Sequence, residues 1–122
     1  MNQPANKNRG PIRFFQAGVH SAQGLKAAYQ NEEAFRQELF LAAILVVAAF
    51  YFDVSVIERL FMISVVILVL IVELLNSAIE AVVDRIGPEH HELSGRAKDI
   101  GSAAVSLSLM LVAIVWAGVL IW

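Results

Sequence analysis

Apolar positions fall into three long runs with short polar breaks between them, preceded by a stretch of different character. Between residues 12 and 30, Phe15, Val19, Ala22, Leu25 and Tyr29 recur at spacings of three and four, while Arg13, Gln16, His20, Gln23 and Gln30 fill the other side. That alternation predicts an amphipathic helix over about 12–30. With so little soluble protein to cover, such a helix is expected to lie on a membrane surface rather than to dock on a soluble partner. Residues 1–11 contain two prolines, a glycine and few apolar groups. They read as a disordered start without the apolar core of a signal peptide.

A charged patch follows, with Glu32, Glu33, Arg36 and Glu38, and then an unbroken apolar run from Leu39 to Phe52. The run alone makes only about 21 Å of helix, short of a ~30 Å hydrocarbon core. Extended back into the charged patch it gives a first span over about 36–52, with Tyr51 and Phe52 as interfacial aromatics. Asp53 to Arg59 reads as a brief polar turn, and a second span covers about 60–84. Gly87 and Pro88 stop it, the glycine as a C-terminal cap. After the polar loop Glu89-His90-His91-Glu92-Leu93, Ser94 is the expected N-cap of a helix starting near Gly95. The third span runs over about 99–122, its Ala103–Trp122 stretch interrupted only by Ser106, Ser108 and Gly118.

A length of 122 residues suits a single domain over 1–122, and 58% hydrophobic against 16% charged residues makes it an all-α membrane protein. A net charge of −2 says little about partners, and no nucleic acid is expected among them. The absence of cysteine excludes disulfides, thiolate metal sites and cysteine nucleophiles. Of the nine Lys and Arg, Lys7, Arg9, Arg13, Lys26 and Arg36 precede the first span, Arg85, Arg96 and Lys98 lie between the second and third, and only Arg59 lies in the first turn. This asymmetry puts the N-terminus and the 85–98 loop in the cytoplasm and the C-terminus on the opposite, periplasmic side.

The second span carries the chemistry. At about 100° per residue, Glu73, Asn76, Glu80 and Asp84 fall within roughly 80° of one another, with Ser77 beside them. A charged side chain near the bilayer centre costs on the order of 2.5–3.5 kcal/mol on insertion scales, so such a face turns to protein or water and marks a functional site. The bland alternative is a polar seam between packed helices. Glu32, Glu80 and Asp84 at the cytoplasmic interface are hard oxygen ligands of the kind that, with substrate phosphates, suit Mg²⁺. Lys98 and Arg13 can neutralise phosphate charge. Glu73 lies about 10 Å deeper than Glu80 along the helix, out of easy reach of bulk water and suited to take a proton from a lipid alcohol. Neither GxxxxGK[ST] nor GxGxxG occurs, which leaves no glycine-loop nucleotide site. His90 and His91 beside Glu92 do not form HExxH, and no serine sits on a nucleophile turn.

The run ELLNSAIEAVVDRIG followed by EHHELSGRAKDIGSAA resembles the signature of the prokaryotic diacylglycerol kinase family, and NEEAFRQE resembles the segment before that family's first span. The resemblance covers roughly residues 13–105. It implies a homotrimeric inner-membrane enzyme with three transmembrane helices per subunit and an amphipathic surface helix. Such an enzyme transfers the γ-phosphoryl of MgATP to diacylglycerol, making phosphatidic acid. By matching position it implies Glu73 as proton acceptor, Asn76 beside it, and Glu32 and Glu80 as Mg²⁺ ligands. Lys98, Asp99, Glu89, His90 and His91 fall in its ATP site, with Arg13 and His20 approaching nucleotide. Arg13, Glu38, Arg59, Glu73 and Ser102 fall on the lipid-substrate path. His20 stands where the family commonly has Tyr, and Ala22-Gln23 replaces an aromatic–basic pair.

Undecaprenol is the alternative acceptor, since it too presents a primary hydroxyl at the interface. From other classes, an oligomeric proton or cation pathway predicts ion flux without ATP consumption. A structural helper subunit predicts an inert chain. Against the pathway, the third span carries no ionisable residue deep in the membrane.

Overall fold

The computed structural model describes residues 10–122, which form helices α1 (Gly10–Asn31), α2 (Glu33–Tyr51), α3 (Val56–Ile86) and α4 (Glu92–Ile121). Three of them, α2, α3 and α4, are long and apolar enough to cross a membrane. Their 19, 31 and 30 residues correspond to about 28, 46 and 45 Å of helix.

α3 is the middle helix, with α4 packed along it most extensively and α2 on another flank, while α1 makes a smaller contact with α2. Its buried stripe is Met62, Val65, Val66, Val69, Glu73 and Asn76, one helix face that begins apolar and ends polar. α2 contributes Phe35, Ala42 and Ala49 to the interior, and α4 contributes Gly101 and Ser108. Small residues at these crossings let the backbones approach, the usual means of joining helices where lipid removes the hydrophobic drive. The indole Nε1 of Trp116 donates to the main-chain oxygen of Met62 at 3.1 Å and ties α4 to α3. Ile67, Leu68, Ile71, Leu75 and Ile79 stay exposed on the outer side of α3, as lipid-facing positions should.

Both turns between the early helices are held by arginine. Glu32 is extended (φ −116°, ψ 106°) and separates α1 from α2. Just past it, Arg36 reaches back to donate to the carbonyls of Tyr29 at 2.8 Å and Gln30 at 3.3 Å. Arg59 does the same for the end of α2, donating to Ala49 O at 2.9 Å and Phe52 O at 2.8 Å, with its guanidinium 5.9 Å from the Phe50 ring centroid. Apart from Phe52 O, which also accepts from Val54 N at 3.1 Å, these are carbonyls that a helix C-terminus leaves without partners.

Several boundaries differ from the sequence expectation. The disordered start lies outside the described residues up to residue 9, but Gly10 and Pro11 belong to α1. Gly10 takes a left-handed φ of 51°, and Pro11 occupies the first turn, where its missing N–H costs nothing. α3 begins at Val56 instead of Leu60, because Ser55-Val56-Ile57-Glu58 is a capping box inside the expected turn. Ser55 Oγ accepts from Glu58 N at 3.1 Å, and Glu58 Oε1 accepts from Ser55 N at 2.9 Å. Ser94 does not cap α4. His91 does, its Nδ1 accepting from Leu93 N at 3.0 Å, so the helix starts three residues early. Gly87 does follow α3, but with extended backbone (φ 166°) in place of a left-handed cap.

Replacing Arg59 with Met is expected to leave Ala49 O without its partner and Phe52 O with Val54 N alone, and to cost about 1.5–3 kcal/mol, the range for hydrogen bonds to charged groups. The check is the denaturation midpoint in mixed micelles beside a conservative Arg59→Lys variant.

Candidate functional site

Burial along the polar flank of α3 is graded. Glu73 and Asn76 are only 4% and 9% exposed, Glu80 is half-buried, and Asp84 is exposed at the end of the helix. The spacing of three, four and four residues keeps all four on the side that α2 and α4 cover. Because α2 starts immediately after Glu32, its acidic first turns come alongside the same stretch of α3. The result is a polar cleft of about 420 Å³ lined by Glu32, Glu33 and Glu38 from the α1–α2 region, Glu73, Asn76 and Glu80 from α3, and Ser102 from α4. Five carboxyl groups line it and, among the described residues, no basic side chain does.

The Glu38 carboxyl faces that of Glu73. Glu38 Oε2 and Asn76 Oδ1 are both buried without a hydrogen-bond partner. Unpartnered polar atoms in a low-dielectric interior are costly, and with five carboxyl groups around it the cleft suits a cation or a hydrogen-bond donor. Among the described residues no three His, Asp or Glu side chains converge tightly enough to hold a metal by themselves. Glu32 and Glu80, from different elements on one cleft wall, nevertheless provide the two hard oxygen donors that Mg²⁺ takes when phosphates and water complete its shell.

Two further cavities adjoin the cleft. On one side a cavity of about 790 Å³ between α1 and the C-terminal half of α3 shares Glu32, Ser77 and Glu80 with it, and reaches Asp84. On the other side Glu38 belongs both to the cleft and to a slot of about 210 Å³. Leu41, Ala42, Leu45, Val66, Val69, Leu109, Val112 and Ala113 make the rest of that slot, so apart from its one carboxyl it is apolar.

The remaining expected residues are more scattered. Lys98 on α4 pairs with Asp84 on α3 (Nζ–Oδ1 2.8 Å), at the rim of the larger cavity. Asp99 follows Lys98 on the exposed surface of α4, and Glu89, His90 and His91 form the exposed connection between α3 and α4. Arg13 and His20 are exposed on α1. None of these six lines the three cavities. Arg59 lies 14 residues before Glu73, roughly 21 Å along α3, and is engaged with the end of α2.

A model of the family described as prokaryotic diacylglycerol kinase matches residues 19–120. The chain belongs to the prokaryotic diacylglycerol kinase family. Proteins named diacylglycerol kinase are similar to it along nearly their whole lengths. That of Haemophilus influenzae is 54% identical over 114 residues, covering 93% of this chain and 97% of the relative. That of Escherichia coli K12 is 54% identical over 118 residues, covering 97% and 96%, and that of Pseudomonas aeruginosa is 48% identical with the same coverage.

Within this diacylglycerol kinase fold, three features were not anticipated from sequence: the pairing of Glu38 with Glu73, the apolar slot beyond it, and Gly101. A Cβ on Gly101 would collide with the side-chain oxygen of Asn76. A glycine in an apolar helix carries no signal of its own, so only the helix crossing identifies it.

The chain lacks cysteine, which makes thiol mapping clean. Ser77→Cys and Ser102→Cys are expected to react with a charged, water-soluble thiol reagent, because both line the polar cleft and are less buried than Glu73 at its base, and thiolate forms only where water or charge supports it. Ile71→Cys, on the outer side of α3, should stay unlabelled.

Proposed function

We propose that this protein is an ATP-dependent diacylglycerol kinase whose polar cleft transfers the γ-phosphoryl of ATP to the primary hydroxyl of membrane diacylglycerol, giving phosphatidic acid and ADP. The observation that carries the reading is the succession of spaces along α3. A large cavity beside α1, an acidic cleft and an apolar slot adjoin one another in that order, sharing Glu32, Ser77 and Glu80 at one junction and Glu38 at the other. A phosphate donor, a transfer point and a lipid acceptor need that order. The names of the relatives favour diacylglycerol over undecaprenol.

In this reading Glu73 accepts the proton of the lipid hydroxyl as its oxygen bonds to the γ-phosphorus, and the bond from phosphorus to the β-bridging oxygen breaks to release ADP. Burial keeps Glu73 away from competing water. Asn76, one turn away, orients the reacting groups, and Ser102 and Glu38 line the acceptor's path. Arg59, at the other end of α3, is assigned to that path by resemblance alone. Glu32 and Glu80 would hold Mg²⁺, which would supply positive charge against that developing on the ATP phosphates. Lys98, released from Asp84, adds a cation at the phosphate end of the larger cavity, since phosphoryl transfer depends chiefly on alignment and charge neutralisation. Arg13, His20, Glu89, His90, His91 and Asp99 are assigned to the nucleotide by resemblance; they are exposed and lie outside the lining of the three cavities.

Arginine and lysine flank the N-terminal side of α2 and the loop between α3 and α4, which supports a bacterial inner-membrane protein with a cytoplasmic N-terminus and a periplasmic C-terminus. α1 then lies on the cytoplasmic surface, with Ile12, Phe14, Phe15 and Val19 exposed for the headgroup boundary. The bare outer faces of α2 and α4 suit packing against further copies, as in a homotrimer.

The test is an assay with purified protein, mixed micelles, labelled ATP and a panel of lipid alcohols. Turnover of diacylglycerol is the expected result, and an inert protein would defeat the proposal. Glu73→Gln should lower kcat by several orders of magnitude while the protein still inserts and assembles. Glu32→Ala and Glu80→Ala should shift the Mg²⁺ titration to higher concentration more than they change the lipid KM, and an unchanged titration would remove both from metal ligation.

A further inference from the structure

We propose that Gly101 is a positioning residue of the site: its missing side chain leaves a notch in α4 that holds the Asn76 carboxamide in the polar cleft. As a statement about turnover this rests on the phosphoryl-transfer reading, although the packing behind it does not. Asn76 is more than nine-tenths buried, lines the cleft with Glu73, Glu80 and Ser102, and has no hydrogen-bond partner for Oδ1. The space that a Cβ of Gly101 would fill is already taken by that oxygen, with Asn76 Cγ 3.2 Å away and Cβ 3.8 Å away.

Backbone conformation does not explain the glycine. Gly101 sits within regular helix, and among the described residues Gly10 is the only glycine in the left-handed region. Glycine inside a helix is unfavourable relative to alanine, so the position carries a cost that only space explains. The other glycines of α4 lack this constraint. A Cβ at Gly95 meets nothing within 4 Å, and one at Gly118 meets only Trp122 Cε3 at an ordinary 3.7 Å.

With only a hydrogen at that place, Gly101 leaves room for Oδ1 where a methyl would collide. Seated there, the carboxamide loses its freedom to rotate. One end of it is held by α4, and the rest of the group stays in the cleft, one turn from Glu73 and one turn from Glu80. A site that must align a buried base with a phosphoryl acceptor loses rate steeply when a neighbouring group swings.

The experiment uses full-length protein in mixed micelles with MgATP and diacylglycerol. Gly101→Ala should lower kcat by about tenfold or more, with KM for both substrates held within about twofold, the pattern of a transition-state defect. Gly118→Ala, in the same helix, should keep wild-type turnover. Wild-type kcat in Gly101→Ala, or a loss confined to KM, would overturn the proposal. A thermal cycle tests the notch without any turnover. Gly101→Ala should lower Tm in the wild-type background, but should leave Tm unchanged or raise it in an Asn76→Ala background, where the new methyl fills the vacated space. An equal drop in both backgrounds would mean that Gly101 serves helix packing alone, and would sink the idea. If the wild-type protein proves inert with ATP and lipid, the kinase reading fails while the thermal cycle still decides the notch.

Discussion

Keeping Glu73 and Asn76 out of lipid is the constraint to which the other helices answer. Both sit on a helix long and apolar enough to span a membrane, where an uncovered charge or amide is expensive. α2 covers them from one flank with Glu38, and α4 from another with Gly101 and Ser102. The cover is incomplete by design of the residues: Glu38 Oε2 and Asn76 Oδ1 are shielded from solvent yet find no protein partner. A purely structural polar seam would pair its donors with its acceptors. This one sets carboxyl against carboxyl, an arrangement that makes sense when a ligand supplies the opposite charge.

Holding α2 in that position falls to two arginines. Without Arg36 and Arg59, carbonyls at the ends of α1 and α2, those of Tyr29 and Ala49 among them, would lose their side-chain donors. With them, the chain turns sharply at Glu32 and again near Asp53, so an acidic helix start lies against the acidic end of α3. The short first span noted in the sequence is part of the same economy. Its opening residues Glu33 and Glu38 serve as cleft wall, and only the part from Leu39 to Tyr51 has to meet acyl chains. On the other side α4 is fixed by the Trp116 indole and by close crossing at Gly101 and Ser108.

Much of this was legible in advance, for identifiable reasons. Helical periodicity is robust, so the placement of Glu73, Asn76 and Glu80 on one covered face followed from spacing alone. The three spans followed from hydropathy. Element starts were less legible, because capping is a local contest between side chains. Ser55 and Glu58 hid a capping box inside what read as a polar turn, and His91 took the role expected of Ser94. Contacts between elements were hardly legible. Nothing in the order of residues says that Glu38 meets Glu73, that Arg59 spends its guanidinium on α2, or that Gly101 faces an amide. Those depend on the relative rotation of the helices, which a single sequence does not encode in any local pattern.

The arrangement also explains how so small a chain can host a reaction between partners of opposite solubility. A soluble enzyme must build walls on every side of its site to exclude water. Here α3 runs from the polar boundary into the apolar interior, and successive turns of one helix meet successive environments. Asp84 and Lys98 pair in the open, Glu80 is half-covered, Glu73 is buried, and the stripe beyond it is Val69 and Val66. A ligand's charge can be matched at one depth and its hydrocarbon at another, with the atoms between them brought to the same carboxylate. Seven residues of helix, about 10 Å, separate the proposed metal ligand Glu80 from the proposed base Glu73. A chain of phosphates reaches across that distance, whereas a single phosphate does not, so the spacing itself favours a polyphosphate donor over a simple phosphomonoester.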